Sequence, residues 1–308
     1  MWPPVRLAVL GLLPFLGAAQ VPNVAGAGYR APTVTVAPGQ IVSVFVRTAT
    51  HLSEPVTASQ FPLPTTLAGF TVVLHQTFAG PVNVPLLAVY TAEACPAEGP
   101  PNCRPLTAIS LQIPFELAPN VPGSRRPENF AWLVVLDQGQ PSEPLPLSSV
   151  PDNAHVVNSC DATTPPQPGP PVNPDSCRPA VTHPDGSLVT AENPARAGQP
   201  VTIYLYGLGR TDERLPSGAA SPAPAEPLTD VRAAVAYGAN PPAARPGASG
   251  SPAFAGLTPG LAGLYQVNVL LAAPPAGTPA CGPGIPANAT VSVGRGYSFA
   301  GASFCVAP

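Results

Sequence analysis

Between Gly256 and Val269 the chain reads GLTPGLAGLYQVNV, a Pro259-Gly260 turn followed by strict alternation. Tyr265, Val267 and Val269 share one side and Gln266 and Asn268 the other, the period-two pattern of a half-buried β-strand. Upstream, IVSVFV (41–46) follows Pro38-Gly39-Gln40 and sets Val42, Val44 and Val46 against Ser43 and Phe45. PVTIYLYGLG (200–209) follows Ala197-Gly198-Gln199 in the same manner. At an offset of 159, Val42, Val44 and Val46 fall on Val201, Ile203 and Leu205, while Ser43, Phe45 and Arg47 fall on Thr202, Tyr204 and Tyr206. A slip of one residue would invert the two faces, so agreement on both marks equivalent strands.

A second block repeats in the same order. LTAISLQIPFELAP (106–119) is matched by a stretch within and just after LAGLYQVNVLLAAP (261–274), where an offset of 158 places Ile109 and Leu111 on Val267 and Val269. Two ordered matches at a nearly constant spacing predict a tandem duplication. FAWLVVLDQG (130–139) is apolar on both faces and reads as a central strand; ATVSVGRG (289–296) is its rough counterpart. Outside the N-terminus no stretch carries sustained helical periodicity with caps. Many short strands between Gly/Pro turns predict an all-β chain of two β-sandwiches. We place the first at 20–150 and the second at 151–308. The segment TTPPQPGPPVNP (163–174) has the composition of a linker, but Cys160 and Cys177 flank it, and we expect a stapled loop within the second unit.

Composition sharpens this picture. Proline (48) and glycine (28) are abundant, yet 45% of residues are hydrophobic and only 9% charged, the opposite of a disordered chain. All 13 basic residues are arginine, net charge is −3, and Arg125-Arg126 is the only basic cluster, so the chain lacks the electrostatic footprint of nucleic-acid binding. The opening MWPPVRLAVLGLLPFLGAAQ combines Arg6, a short apolar run from Leu7 to Leu16 and small residues Gly17-Ala18-Ala19. This is the pattern of a secretory signal spanning 1–19, with a cut ahead of Gln20. The run is too short for a membrane-spanning helix, so export without a transmembrane anchor is expected.

Six cysteines suit an oxidising compartment. They form three close pairs, Cys95/Cys103, Cys160/Cys177 and Cys281/Cys305, each bracketing a Pro/Gly-rich loop, and we expect local disulfides among the 15 connectivities available. Zinc would call for CxxC spacing, which is absent.

Candidate chemistry is sparse. His51, His75, His155 and His183 are scattered in unrelated contexts, and Gly247-Ala248-Ser249-Gly250-Ser251 misses the final glycine of a nucleophile elbow, so no catalytic residue is assigned. Asp185-Gly186 with Glu192 and Asn193 could supply hard oxygen ligands for calcium, but Asp-Gly between extended runs is itself a hairpin signal, and we read a turn. No metal or cofactor is expected. Asn288-Ala289-Thr290 is a glycosylation sequon by pattern and reads as incidental. Phe45, Tyr204 and Tyr206 share the outward register of their strands and form the candidate binding face, for sugar stacking or burial against a partner; the equal alternative is that loops or the sister unit cover them. Gln266 and Asn268, also outward, are expected to pin a neighbouring loop or the sister unit by side-chain hydrogen bonds.

Several segments resemble one family. VAPGQIVSVF (36–45), FPLPTTLAGFTVVL (61–74), VPLLAVY (84–90), ISLQIPFELAPN (109–120), PDGSLVTAENPARAGQPVTIYLYGLG (184–209) and FAGLTPGLAGLYQVNV (254–269) are similar to the uncharacterised exported C-terminal domains of acidobacteria of the Solibacter type, themselves similar to IPT/TIG immunoglobulin-like modules. The pieces span most of the chain after residue 20, in order. Departures are Ala108 and Ser110 where a Gln and an Asn are usual, and Arg47 to Leu52 in place of a Gly-Thr-Asn-Leu type turn. The resemblance implies two tandem immunoglobulin-like β-sandwiches of IPT/TIG type and an exported location, but no activity. With it the expectation becomes a non-catalytic surface or extracellular module for adhesion or scaffolding that binds protein or glycan. The alternative is a carbohydrate-binding accessory unit of a polysaccharide-degrading system.

Overall fold

The computed structural model describes residues 23–25, 34–48, 50, 52–94, 104–159, 161, 177–212, 215–223, 228–247 and 250–307. Among them all regular structure is strand, twenty in number. The leader 1–19, the Pro-rich segment 163–174, His51 and Cys95, Cys103 and Cys160 lie outside the described residues.

The N-terminal half holds β1 (Asn23–Ala25), β2 (Val34–Val36), β3 (Ile41–Val46), β4 (Val56–Thr57), β5 (Thr66–Leu67), β6 (Phe70–Gln76), β7 (Ala79–Asn83), β8 (Leu86–Ala94), β9 (Arg104–Gln112), β10 (Ala131–Asp137), β11 (Gln140–Pro141) and β12 (Leu145–Ser149). One sheet runs β1-β3-β9-β8-β4, the other β2-β12-β10-β6-β5, with β7 on β6 and β11 on β10. Alternation sends Val42, Val44, Ile109 and Leu111 from the first sheet and Val72, Leu74, Leu133 and Val135 from the second into one buried cluster. Burying those aliphatic faces against each other is the main stabilising term.

The C-terminal half holds β13 (His155–Val156), β14 (Val181–Thr182), β15 (Pro200–Tyr206), β16 (Arg232–Tyr237), β17 (Phe254–Leu257), β18 (Tyr265–Leu270), β19 (Ala289–Gly294) and β20 (Phe299–Phe304). Its sheets run β13-β15-β18-β17, with β14 on β15, and β16-β19-β20. A second core gathers Val201, Ile203, Leu205, Tyr265, Val267, Val291 and Val293.

The two halves share their registers. Val42↔Leu111, Ser43↔Ser110, Val44↔Ile109 and Phe45↔Ala108 pair across β3 and β9. Val201↔Val269, Thr202↔Asn268, Ile203↔Val267 and Tyr204↔Gln266 pair across β15 and β18. Each ladder begins at a glycine turn of positive φ: Gly39 donates to Ile113 O and Gly198 to Leu271 O, both at 2.8 Å. In the opposite sheets β10 lies between β6 and β12 as β19 lies between β16 and β20. A parallel contact opens both halves, β2 along β12 and Ala195 beside Val306.

The structure departs from the sequence expectation on β10. The strand is central, but only Ala131, Leu133, Val135 and Asp137 are buried, whereas Trp132, Val134 and Leu136 stay half-buried. Both faces are apolar, yet only the inward one meets the other sheet. Cys281 and Cys305 form the expected disulfide. Cys177 is also disulfide-bonded.

Polar contacts tie the halves together. Leu63 N–H donates to Gly218 O at 2.8 Å, and Gly218 N–H donates to Gln112 Oε1 at 2.6 Å. Arg210 donates to the carbonyls of Phe115 and Leu117 at 2.9 and 2.8 Å. Ser217 Oγ accepts from Phe115 N and donates to Glu116. In the connection, Asn153 Nδ2 donates to Thr35 O, and Asp152 accepts the N–H groups of Tyr297 and Ser298.

Candidate recognition face

The outer face of the β13-β15-β18-β17 sheet collects most of the residues singled out by their alternation. Because Val201, Ile203 and Leu205 turn inward, Thr202, Tyr204 and Tyr206 turn outward and stay half-buried. On β18 the same rule leaves Gln266 and Asn268 half-exposed. Register then sets Tyr204 beside Gln266 with Gly256 beyond it, Thr202 beside Asn268 with Phe254 beyond it, and Tyr206 beside His155. The glycine on β17 leaves the far side of Gln266 without a side chain.

Asn268 does not make the hydrogen bond expected of its carbonyl: Oδ1 is buried and has no partner. An orphaned buried acceptor costs about 1–3 kcal/mol; shut off from solvent, it is a local cost within this face and not an open ligand contact. At the other end of the face, His155 Nε2 lies 2.9 Å from Asp161 Oδ1, and Asp161 Oδ2 accepts Asn158 N–H at 2.8 Å. Burial, and then the Asp161 carboxylate, push the Tyr206 hydroxyl above its usual range, so it stays a neutral donor. The face offers aromatic rings, amides and hydroxyls, the chemistry of stacking and directional hydrogen bonding.

Its counterpart in the first half is closed. Phe45 holds the outward register but is only 4% exposed, packed with Ala92, Leu106, Ala108 and Tyr90. Ser43 and Ser110 hydroxyls bond each other at 2.8 Å. For Phe45 the covered alternative holds and it leaves the candidate binding face: small Ala108 opposite it and Tyr90 beyond let its ring lie into a minor core. Register brings Tyr204 and Tyr206 together with Gln266 and Asn268, and leaves Phe45 apart in the other half.

One feature escaped the sequence reading. On the outer face of β6 and β10, His75 and Trp132 stand opposite each other and stack, ring centroids 5.4 Å apart and planes within 5°. Phe130 and Phe78, at the same end, are 65% and 60% exposed. The signal was available in the even positions Phe130, Trp132, Val134 and Leu136, but runs that are apolar on both faces read as fully buried.

The remaining candidates have structural duties. Asp185 Oδ1 accepts the N–H and hydroxyl of Ser187, which hold its carboxyl below the usual range, and Gly186 takes a φ of 84° in a tight turn closed by His183 and Ser187. Asn193 donates to Leu188 O, and His183 Nε2 lies 3.2 Å from Asn193 O. The sequon residue Asn288 is fully buried, its amide bonded to Pro279 O and both backbone groups of Val306. Among the described residues no group of three or more His, Cys, Asp or Glu could hold a metal ion, and no helix is long and apolar enough to cross a membrane. No protein-family model matches the chain, and no curated protein matches it either.

Proposed function

We propose that this protein is an exported, non-catalytic binding module. It is built from two tandem immunoglobulin-like β-sandwiches of IPT/TIG type, with the boundary near residue 150. Support for the two units comes from two separate cores drawn from 34–147 and 156–306 with matching ladder registers. The recognition surface is the Tyr204–Gln266–Asn268 face, and its ligand is a protein or glycan at the cell surface, in an adhesion or scaffolding role. One observation carries this assignment: Tyr204, Tyr206, Gln266 and Asn268 stay part-exposed side by side, in the half where the equivalent face is not filled by hydrophobic packing.

The second reading, a carbohydrate-binding accessory unit, draws on the same face, since tyrosine stacking with flanking amides suits sugar rings and hydroxyls. A glycan array on the purified chain separates the two. Polysaccharide binding lost in both Tyr204→Ala and Asn268→Ala selects the accessory reading. A surface-protein ligand lost in the same variants selects adhesion. Binding that survives both substitutions removes this face from the proposal, and turnover in a broad hydrolase screen overturns the non-catalytic reading.

A further inference from the structure

The end of the first half formed by the β6–β7 turn and the loop leading into β10 displays large apolar side chains on a rigid base. Asn129 and Gln76 are buried beneath it and fully engaged. Asn129 N–H donates to Asn120 Oδ1 at 2.7 Å, and Asn129 Nδ2 donates to Ala118 O at 2.7 Å. Gln76 Oε1 accepts Ala118 N–H at 3.0 Å, while its amide donates to Glu116 O at 3.2 Å. Thr77 and Phe130 exchange hydrogen bonds at 3.0 and 3.1 Å, joining the turn to the loop.

Above this base every residue from Val121 to Glu128 is exposed, and Val121 (45%), Phe78 (60%) and Phe130 (65%) are among the most exposed large apolar side chains described. The same loop carries Arg125 and Arg126, the only adjacent arginines in a chain of net charge −3. The ion pairs among the described residues are His155–Asp161 and Arg295–Asp212, and neither involves this pair. Between Val121 and Phe130 Glu128 is the one acidic residue, so this tip keeps a positive balance.

We propose that this tip docks on an anionic lipid surface, Phe78 and Phe130 entering the headgroup boundary and Arg125 and Arg126 meeting the phosphates. Aromatic side chains beside arginines, displayed from a loop end, match a partner that has depth and negative charge but no fixed shape. A protein partner would call for a complementary surface around the phenylalanines; it is the competing occupant in the test.

The exported chain from Gln20 onward has Trp132 as its single indole and leaves out the apolar run Leu7–Leu16, which would enter lipid by itself; Trp132 lies about 7 Å along the chain from Phe130. This exported chain is mixed with vesicles of phosphatidylglycerol and phosphatidylcholine whose acyl chains are brominated near the headgroup. Trp132 emission is expected to be quenched by these vesicles and far less by phosphatidylcholine alone, with quenching weakened by salt. Phe78→Ser with Phe130→Ser should abolish it, and Arg125→Gln with Arg126→Gln should weaken apparent binding about fivefold per arginine. The arginine pair touches only exposed side chains and keeps the test decisive if the phenylalanine variant does not fold. Absence of quenching, or quenching unchanged in both variants, overturns the proposal. So does Phe-dependent binding to a protein without any to vesicles.

Discussion

Gln112, the last residue of β9, accepts the backbone N–H of Gly218 at 2.6 Å, 106 residues further along the chain. Gln112 is fully buried, so the bond is made away from water between the two halves of the molecule. Gln112→Ala strands that N–H and opens a cavity, and should lower stability by about 2–3 kcal/mol in urea unfolding. An unchanged midpoint would mean that the seam adds nothing to stability.

The same seam sets a steric prediction. A Cβ on Gly263 would lie 2.6 Å from Gly39 O and 2.8 Å from Ile41 Cδ1, whereas one on Gly260, also at positive φ, meets open space. Gly260→Ala should therefore cost only the left-handed strain of about 1 kcal/mol. Gly263→Ala carries that strain and pushes the halves apart as well. We expect at least twice the loss of stability and a larger radius of gyration in X-ray scattering; equal effects from the two alanines would refute the close approach.

Tyr265 supplies a pH test. It is fully buried, its hydroxyl donates to Gly209 O, and burial raises its pKa well above the ordinary 10.0. Below pH 10 the hydroxyl is protonated in both folded and unfolded chains, and its contribution is complete. Above pH 10 the unfolded chain releases the proton and the native one retains it, so stability falls as pH rises. Tyr206 and Tyr237 are raised in the same direction and add to the fall. Tyr265→Phe should cost about 1–2 kcal/mol at neutral pH. It should also make the alkaline slope shallower by about 1.4 kcal/mol per pH unit. Parallel slopes in wild type and variant would contradict the buried hydroxyl.

Cys281 and Cys305 close a loop of sequence separation 24 onto the end of β20. Chain entropy predicts about 3 kcal/mol from that closure. The double Cys281→Ser, Cys305→Ser variant should lose roughly that amount in denaturant unfolding, with β19 and β20 showing the greatest gain in amide exchange. A uniform gain across both halves would point to global destabilisation instead.

The division between sequence and tertiary structure can be followed residue by residue. Alternation alone assigned Val42, Val44, Val201 and Ile203 to the core and paired the strands of one half with those of the other. Side-chain direction is fixed by backbone geometry with a period of two, whatever the surroundings. Alternation also set Phe45 and Tyr204 in one class, because both point outward. What lies over an outward face depends on residues remote in sequence: Tyr90, Ala92 and Leu106 fill the space around Phe45, while Gly256 leaves it open beside Gln266. Similarly, the apolar run 130–139 announced a strand but not which face would be covered, and only the packing of the sheets left Trp132 stacked on His75 and Phe130 bare. The seam through Gln112, Gly218 and Gly263 had no local pattern at all, since a hydrogen bond spanning 106 residues exists only once both halves have folded. Local stereochemistry determined the strands and their inward faces; long-range packing decided which outward faces stayed open.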